Sequence, residues 1–461
     1  MNNQEKVIYH TESVCPVCLE RIDAWYVEEN RDIYLKKRCL EHGDFSTIVW
    51  RGHEASSFFS WKKEKLIPYQ QNAMAAVDRG CPYDCGLCPE HRQRTCCVLL
   101  EVTDRCNQNC SFCYADSGGI TEDPSFETIK GWLEMLAERG KPFLHISGGE
   151  PTVREDLPQI VSLARDMGFE FIQLNTNGLR LGQEPGYARK LKDAGVSVVF
   201  MQFDGTNDQI FEKLRGRPLL KDKEAAIKNC SECYLGVVLV PTIIPGINSE
   251  NIGEILRYSL HRIPDVRGVH FQPVSYFGRY PKQPVDSRRM TLPELLGEIE
   301  RQTQGVFKAS NFAPSRCDHP HCGFHGDFVL MPDGNVRSLT QQSKQKCCCE
   351  QETMGSAVEK SRSFVSRRWV RETQVPGTDE RCCNSGFGEW EDFIARVKSH
   401  GFSITGMLFQ DCWNLDLERL KACSLHVLDK DGRIIPFCAY NLSNIEGKRL
   451  YRSSGDWRTW R

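Results

Sequence analysis

The chain has 461 residues, 40% of them hydrophobic and 26% charged, with 59 basic and 61 acidic side chains. That is the composition of a globular protein with a large buried core, and its near balance of charge gives no broad attraction to nucleic acid or anionic membrane. No run reaches the about 18 consecutive apolar residues that a membrane span requires, and the polar residues 1–9 lack the apolar core of a secretion signal, so a cytoplasmic protein is expected. The 23 cysteines are then the feature to explain. Clustered at gaps of two and three residues in a long chain of that compartment, they read as metal ligands rather than disulfides.

In chain order, residues 1–60 form a small module. Cys15 and Cys18 make one knuckle, Cys39 and His42 another, and together they form a closed four-ligand site that spacing assigns to zinc or to a single iron. Residues 61–97 form a connector and a cysteine-dense segment. There Cys81, Cys85 and Cys88 have three-then-two spacing, and Cys96 is the candidate fourth ligand, with His91 as a competitor. The reading is an auxiliary iron-sulfur cluster, with structural zinc as the alternative.

Residues 98–280 alternate strand and helix signals. Apolar runs at 98–102, 143–146, 169–174, 196–203, 235–244 and 268–273 predict buried strands. Between them, Ile129, Trp132, Leu133 and Leu136 recur at helical spacing behind the N-cap candidate Ser125. Leu157, Ile160, Val161 and Ala164 do the same and end at Gly168, and a third helix ends at Gly195. Such alternation implies an α/β fold of parallel strands with right-handed crossovers, doubly wound or barrel, whose function collects at the C-terminal strand ends.

Those ends are where the chemistry lies. After the first strand come Cys106, Cys110 and Cys113, three thiols that can hold three irons of a four-iron cube and leave the fourth iron open to a small molecule. A zinc loop completed from elsewhere is the alternative. The second strand ends in Ser147, Gly148, Gly149, Glu150 and Pro151, where paired glycines admit close approach and a carboxylate can accept from an ammonium group. The third ends in Asn175, Thr176, Asn177 and Gly178, the fourth in Gln202, Phe203, Asp204 and Gly205.

Residues 281–461 read as a more irregular tail in which Cys317, Cys322, Cys423 and Cys438 could form another cluster, buried free thiols being the alternative. Cys347, Cys348 and Cys349 receive no site, and Cys230, Cys233, Cys382, Cys383 and Cys412 are unassigned.

The three-cysteine loop with Phe112 before its last cysteine, followed by Gly148-Gly149-Glu150-Pro151, resembles the radical S-adenosylmethionine (SAM) superfamily. The resemblance implies a partial (β/α)6 barrel flanked by small cysteine-rich metal modules, with SAM chelating the open iron and yielding a 5'-deoxyadenosyl radical. It further implies cofactor contacts at Tyr114, Gly148, Gly149 and Glu150, at Asn175 and Asn177 beside the ribose, and at residues 240–246 beside the adenine. Cys-Pro-Val-Cys at 15–18, the motif at 81–91 and Asp-Gly-Arg-Ile-Ile-Pro-Phe-Cys-Ala-Tyr-Asn at 431–441 resemble a narrower group: the archaeal tetraether lipid synthases and the 7,8-dihydro-6-hydroxymethylpterin methyltransferases. For the lipid enzymes this implies three four-iron clusters and a mononuclear, rubredoxin-like iron. The expected activity is carbon-carbon bond formation on lipid chains, or alternatively one-carbon transfer to a pterin. The third alternative is a non-enzymatic electron carrier. A reduced ferredoxin- or flavodoxin-type electron donor is expected as partner, and no nucleic acid.

Overall fold

A computed structural model of the chain describes residues 5–52, 55–62, 76–118, 122–315, 317–340, 354–371 and 388–452. The triple cysteine at 347–349, together with Cys382 and Cys383, lies outside the described residues.

Strands β1 (Lys6–Val14), β2 (Arg21–Glu29), β3 (Asp32–Cys39) and β4 (Gly43–Trp50) form an antiparallel sheet in chain order. Period-two alternation puts Ile33, Leu35, Lys37 and Cys39 of β3 on the buried face. That face docks on the C-terminal region through polar bonds. The Lys37 ammonium donates to Ser13 Oγ at 3.0 Å and to the Cys412 carbonyl at 2.6 Å. The Asp416 carboxylate accepts from Thr11 Oγ1 and from Tyr26 Oη, each at 2.7 Å.

The second sheet contains β5 (Cys97–Glu101), β6 (Phe143–Ser147), β7 (Ile172–Thr176), β8 (Val198–Gln202), β9 (Gly236–Val240) and β10 (Val266–Pro273). All six overlap the runs predicted from sequence and pair in parallel in chain order. The helices between them carry the expected apolar stripes: Phe126–Glu138 buries Ile129, Leu133 and Leu136, and the Ser125 hydroxyl caps it by accepting from the Thr128 N–H at 3.0 Å.

The tail is less irregular than its sequence suggests. β11 (Gly323–Leu330) is antiparallel to β12 (Gly401–Met407), and β12 pairs in parallel with β10. At the other edge, β13 (Leu425–Leu428) is parallel to β5, and β14 (Ile434–Pro436) turns back antiparallel on it. The parallel core thus gains a strand on each side from residues far away in sequence. Among the described residues no ladder joins the outer edges, so the barrel is partial, and side chains bridge its seam. Asp318 Oδ1 accepts from Ser424 N–H at 3.0 Å and Ser424 Oγ at 2.7 Å, and Gln93 Nε2 donates to the Cys317 carbonyl at 2.5 Å.

The docking of the first sheet yields a test. Asp416→Ala removes two charge-assisted bonds, each worth about 1.5–3 kcal/mol, and also the acceptor that caps the helix Leu417–Lys421. Backbone hydrogen exchange should accelerate across residues 6–50 while β6 and β7 keep their protection.

Candidate active site and metal centres

The loop after β5 carries Cys106, Cys110 and Cys113, all half-buried, and regular secondary structure satisfies little of its backbone. Distant elements supply the partners instead. Cys113 and Arg279 exchange both backbone hydrogen bonds at 2.9 Å, and Ser111 N–H donates to the Leu214 carbonyl at 3.1 Å. Arg279 Nε reaches the Cys110 carbonyl at 2.9 Å. Arg215 forks onto Asp204 at 2.7 and 2.8 Å and gives Nη1 to the Phe112 carbonyl at 3.0 Å. This buried ion pair ties the loop to the end of β8. Gly278 makes the approach of residues 278–279 possible: with φ +68°, an added Cβ would lie 2.3 Å from Tyr114 O and 2.4 Å from Cys113 O.

The loop suits an inorganic cluster. Gln108 is buried, and its Nε2 has no hydrogen-bond partner although its Oε1 lies 3.6 Å from Cys110 Sγ, so an amide donor is left to meet sulfur. Burial, and then the Glu150 carboxylate and the neighbouring thiols, push Cys106 up to about 12, so a thiolate there needs a compensating cation.

Gly148 and Gly149 sit against the start of the loop: a Cβ on either would lie 2.2 Å from a carbonyl oxygen, that of Thr103 or of Arg105. Their close packing explains the glycine pair without a ligand. Glu150 is 1% exposed. Its Oε1 accepts from Thr152 N–H at 3.1 Å, Thr152 Oγ1 at 2.6 Å and Thr176 Oγ1 at 2.6 Å, and its Oε2 accepts from Asn177 N–H at 2.6 Å. The carboxylate therefore braces the ends of β6 and β7, and Oε2 keeps acceptor capacity for an ammonium group. Asn177 is committed to protein as well, donating to Asn107 Oδ1 at 2.7 Å and accepting from Leu179 N–H at 3.0 Å. Asn175 accepts from Gln173 Nε2 at 2.7 Å, and Tyr114 shares a 3.1 Å hydrogen bond with Ser147. Cys106, Cys110, Cys113, Tyr114, Gly148, Gly149, Glu150, Asn175 and Asn177 all line one cavity of about 400 Å³. Spacing alone could not locate Gln108, Arg215, Gly278 or Arg279, because their roles arise from long-range contact.

In the first module, Cys15, Cys18, Cys39 and His42 converge, their ligand atoms all within 4.8 Å of one another. Four ligands about 2.3 Å from a tetrahedral centre stand about 3.8 Å apart, so the group fits a single ion. His42 Nδ1 lies 3.4 Å from Cys39 Sγ and 3.6 Å from Cys15 Sγ. Burial opposes ionisation of Cys39, yet hydrogen bonds from His42 and the backbone bring it down to about 7, a thiol ready to ligate.

The other eight candidate cysteines have neighbours that spacing alone did not show. Cys81 lies beside Cys85 and within electrostatic reach of Cys88 in the loop before β5. Cys96, grouped with them by spacing, instead meets the thiols of Cys317 and Cys97. Cys438 packs in one cluster with Cys81 and Cys85, and Cys423 lies within electrostatic reach of both Cys322 and Cys438. His91, the competitor ligand, uses Nε2 on the Cys423 carbonyl at 2.9 Å, and burial lowers it to about 4. Cys230 and Cys233 are buried at the end of the helix Leu220–Ser231, where their thiols donate to backbone carbonyls or pack in the core.

The Gly278 contact yields a test. Gly278→Ala forces the Cys113–Tyr114 backbone to move, so iron bound at the three-cysteine loop, measured per chain with the visible absorbance, should fall severely. Metal held by Cys15, Cys18, Cys39 and His42 should remain.

Comparison with known proteins bears on the family. The radical SAM superfamily pattern matches residues 100–259, and the "HMPTM N-terminal zinc ribbon domain" matches residues 7–51. The second match agrees with a metal-binding first module. The 7,8-dihydro-6-hydroxymethylpterin dimethyltransferase of Methanocaldococcus jannaschii is 34% identical over 94% of this chain and 93% of its own length. An Fe-coproporphyrin III synthase of Methanosarcina barkeri is 30% identical over 49% of this chain and 57% of its own. The solved methylornithine synthase overlaps at TM-score 0.37 and 16% identity, covering 49% of this chain and 66% of its own, too slight a likeness to carry an argument. The chain is a radical SAM enzyme and belongs to the family of the M. jannaschii pterin dimethyltransferase.

Proposed function

We propose that the protein transfers a one-carbon unit from a folate-like donor to a pterin-type substrate held inside the partial barrel. The observation that carries this reading is the cavity. It measures about 400 Å³ in all, is bounded at its mouth by the three-cysteine loop, and has amide and imidazole side chains in its walls. That size lies within the roughly 300–1,000 Å³ of small-molecule sites. The match to the pterin enzyme along nearly all of both chains supports it.

In this reading Cys106, Cys110 and Cys113 would hold the catalytic cluster, Gly148, Gly149 and Glu150 Oε2 would contact the amino group of SAM, and Tyr114, Asn175 and Asn177 would border the cofactor. When bound, the cluster and SAM supply a carbon radical able to take hydrogen from substrate. The protein's residues orient the two molecules and exclude water. Cys81, Cys85, Cys88, Cys96, Cys317, Cys322, Cys423 and Cys438 hold two further clusters, fed by a reduced ferredoxin- or flavodoxin-type protein in the cytoplasm. The first module holds one zinc or iron.

A second reading, carbon-carbon joining of lipid chains, draws support from the inner end of the cavity. There Phe143, Val365 and Trp369 make an apolar wall. No helix among the described residues is long and apolar enough to cross a membrane.

Anaerobically reconstituted protein, given reductant, SAM and 7,8-dihydro-6-hydroxymethylpterin, should form 5'-deoxyadenosine several-fold faster than without the pterin. With a carbon-13-labelled folate donor, mass spectrometry should find label in the pterin. Stimulation by a long-chain lipid and not by the pterin would replace this reading with the second.

A further inference from the structure

Strand alternation turns residues of several core strands into the cavity at mid-depth, between the cysteine loop and the apolar inner end. On one wall are His145 of β6 and Gln173 of β7, direct partners in the ladder. On another are His270 of β10 and Thr405 of β12, also direct partners. Phe200 of β8 stands between the walls, its ring centroid 5.6 Å from that of His270 and 4.8 Å from that of Trp369.

The polar atoms of this band are set by their protein bonds. Gln173 Nε2 donates to Asn175 Oδ1 at 2.7 Å and lies 3.4 Å from His145 Nδ1. With these bonds the amide oxygen points away from both partners. Gln173 is 2% exposed, and its Oε1 has no hydrogen-bond partner. His270 uses Nδ1 on Thr405 Oγ1 at 2.8 Å, leaving Nε2 as the ring's remaining hydrogen-bonding atom.

The chemistry narrows the ligand. An amide oxygen buried without a donor is costly, and a molecule that brings an N–H to it recovers the loss. A hydrocarbon laid along the same wall would leave it unpaired. Burial drives His145 down to about 3 and His270 to about 4, so both imidazoles are neutral and the band offers no charge to a carboxylate or phosphate. Phe200 and Trp369 add flat apolar faces.

We propose that Gln173, with His145 beside it and His270 on the facing wall, is the recognition site for the lactam edge of a neutral, planar heteroaromatic substrate, Gln173 Oε1 accepting its ring N–H. This rests on the pterin reading and specifies how that substrate is held.

The test uses the reconstituted holoenzyme with SAM and measures binding of 6-hydroxymethylpterin by equilibrium dialysis, alongside its derivative methylated at the lactam nitrogen. Wild-type protein should bind the methylated form roughly tenfold to a hundredfold more weakly, because it lacks the donor. Gln173→Met, close in shape but with no amide oxygen, should lose affinity for the parent pterin by a similar factor and should no longer distinguish the two. Its cluster absorbance reports on folding, and the methylated probe tests the site even if that variant fails to fold. Equal binding of both pterins by wild-type protein would overturn the Gln173 site and leave the proposed function standing. Failure of wild-type protein to bind either pterin would overturn the proposed function and the ligand class assigned here.

Discussion

A loop with little regular structure must have its backbone groups satisfied from elsewhere, and here the elsewhere is the ends of other strands. The segment bearing Cys106, Cys110 and Cys113 is held by Gly149 N–H on the Thr103 carbonyl at 2.8 Å, by Glu150 N–H on the Arg105 carbonyl at 2.9 Å, and by the paired bonds to Arg279. Three strand ends, after β5, β6 and β10, thus meet at one loop, and Arg215 adds the end of β8 through Asp204. The position of the thiols is a property of the assembled sheet rather than of the local sequence. Glycine at 148, 149 and 278 is the steric condition for that meeting.

Much of this arrangement was legible in the sequence. The six central strands announced themselves because buried parallel strands are written as continuous apolar runs. The polar, glycine-rich residues at their ends marked the mouth. The added strands β12 and β13 did not announce themselves. In β12 the apolar Phe402 and Ile404 alternate with Ser403 and Thr405, and β13 is only four residues long, so each depends on pairing with a strand more than a hundred residues away. For strands held by such distant partners, tertiary context outweighs local pattern.

The site divides the same way. The four ligands of the first module follow from knuckle spacing and converge in space. Spacing did not show every neighbour, however: Cys96 meets Cys317, while Cys81 and Cys85 share a cluster with Cys438. Nor could a motif show that the Glu150 carboxylate is already engaged by Thr152, Thr176 and Asn177. Its conversion to alanine would loosen the junction of β6 and β7 as well as remove the proposed cofactor contact, so affinity and local stability would change together.

The seam of the barrel has a consequence of its own. Where two strands pair, changing the girth of a barrel means shifting a register and turning every side chain beyond it to the other face. Between the outer edges here the closure is made by Asp318, Ser424, Gln93 and Cys317, so substitutions along that line can widen or narrow the lumen while every ladder keeps its register. Such a barrel has an adjustable waist, and a lineage built on it can change what fits inside by editing a few loop residues, leaving the radical-forming mouth untouched.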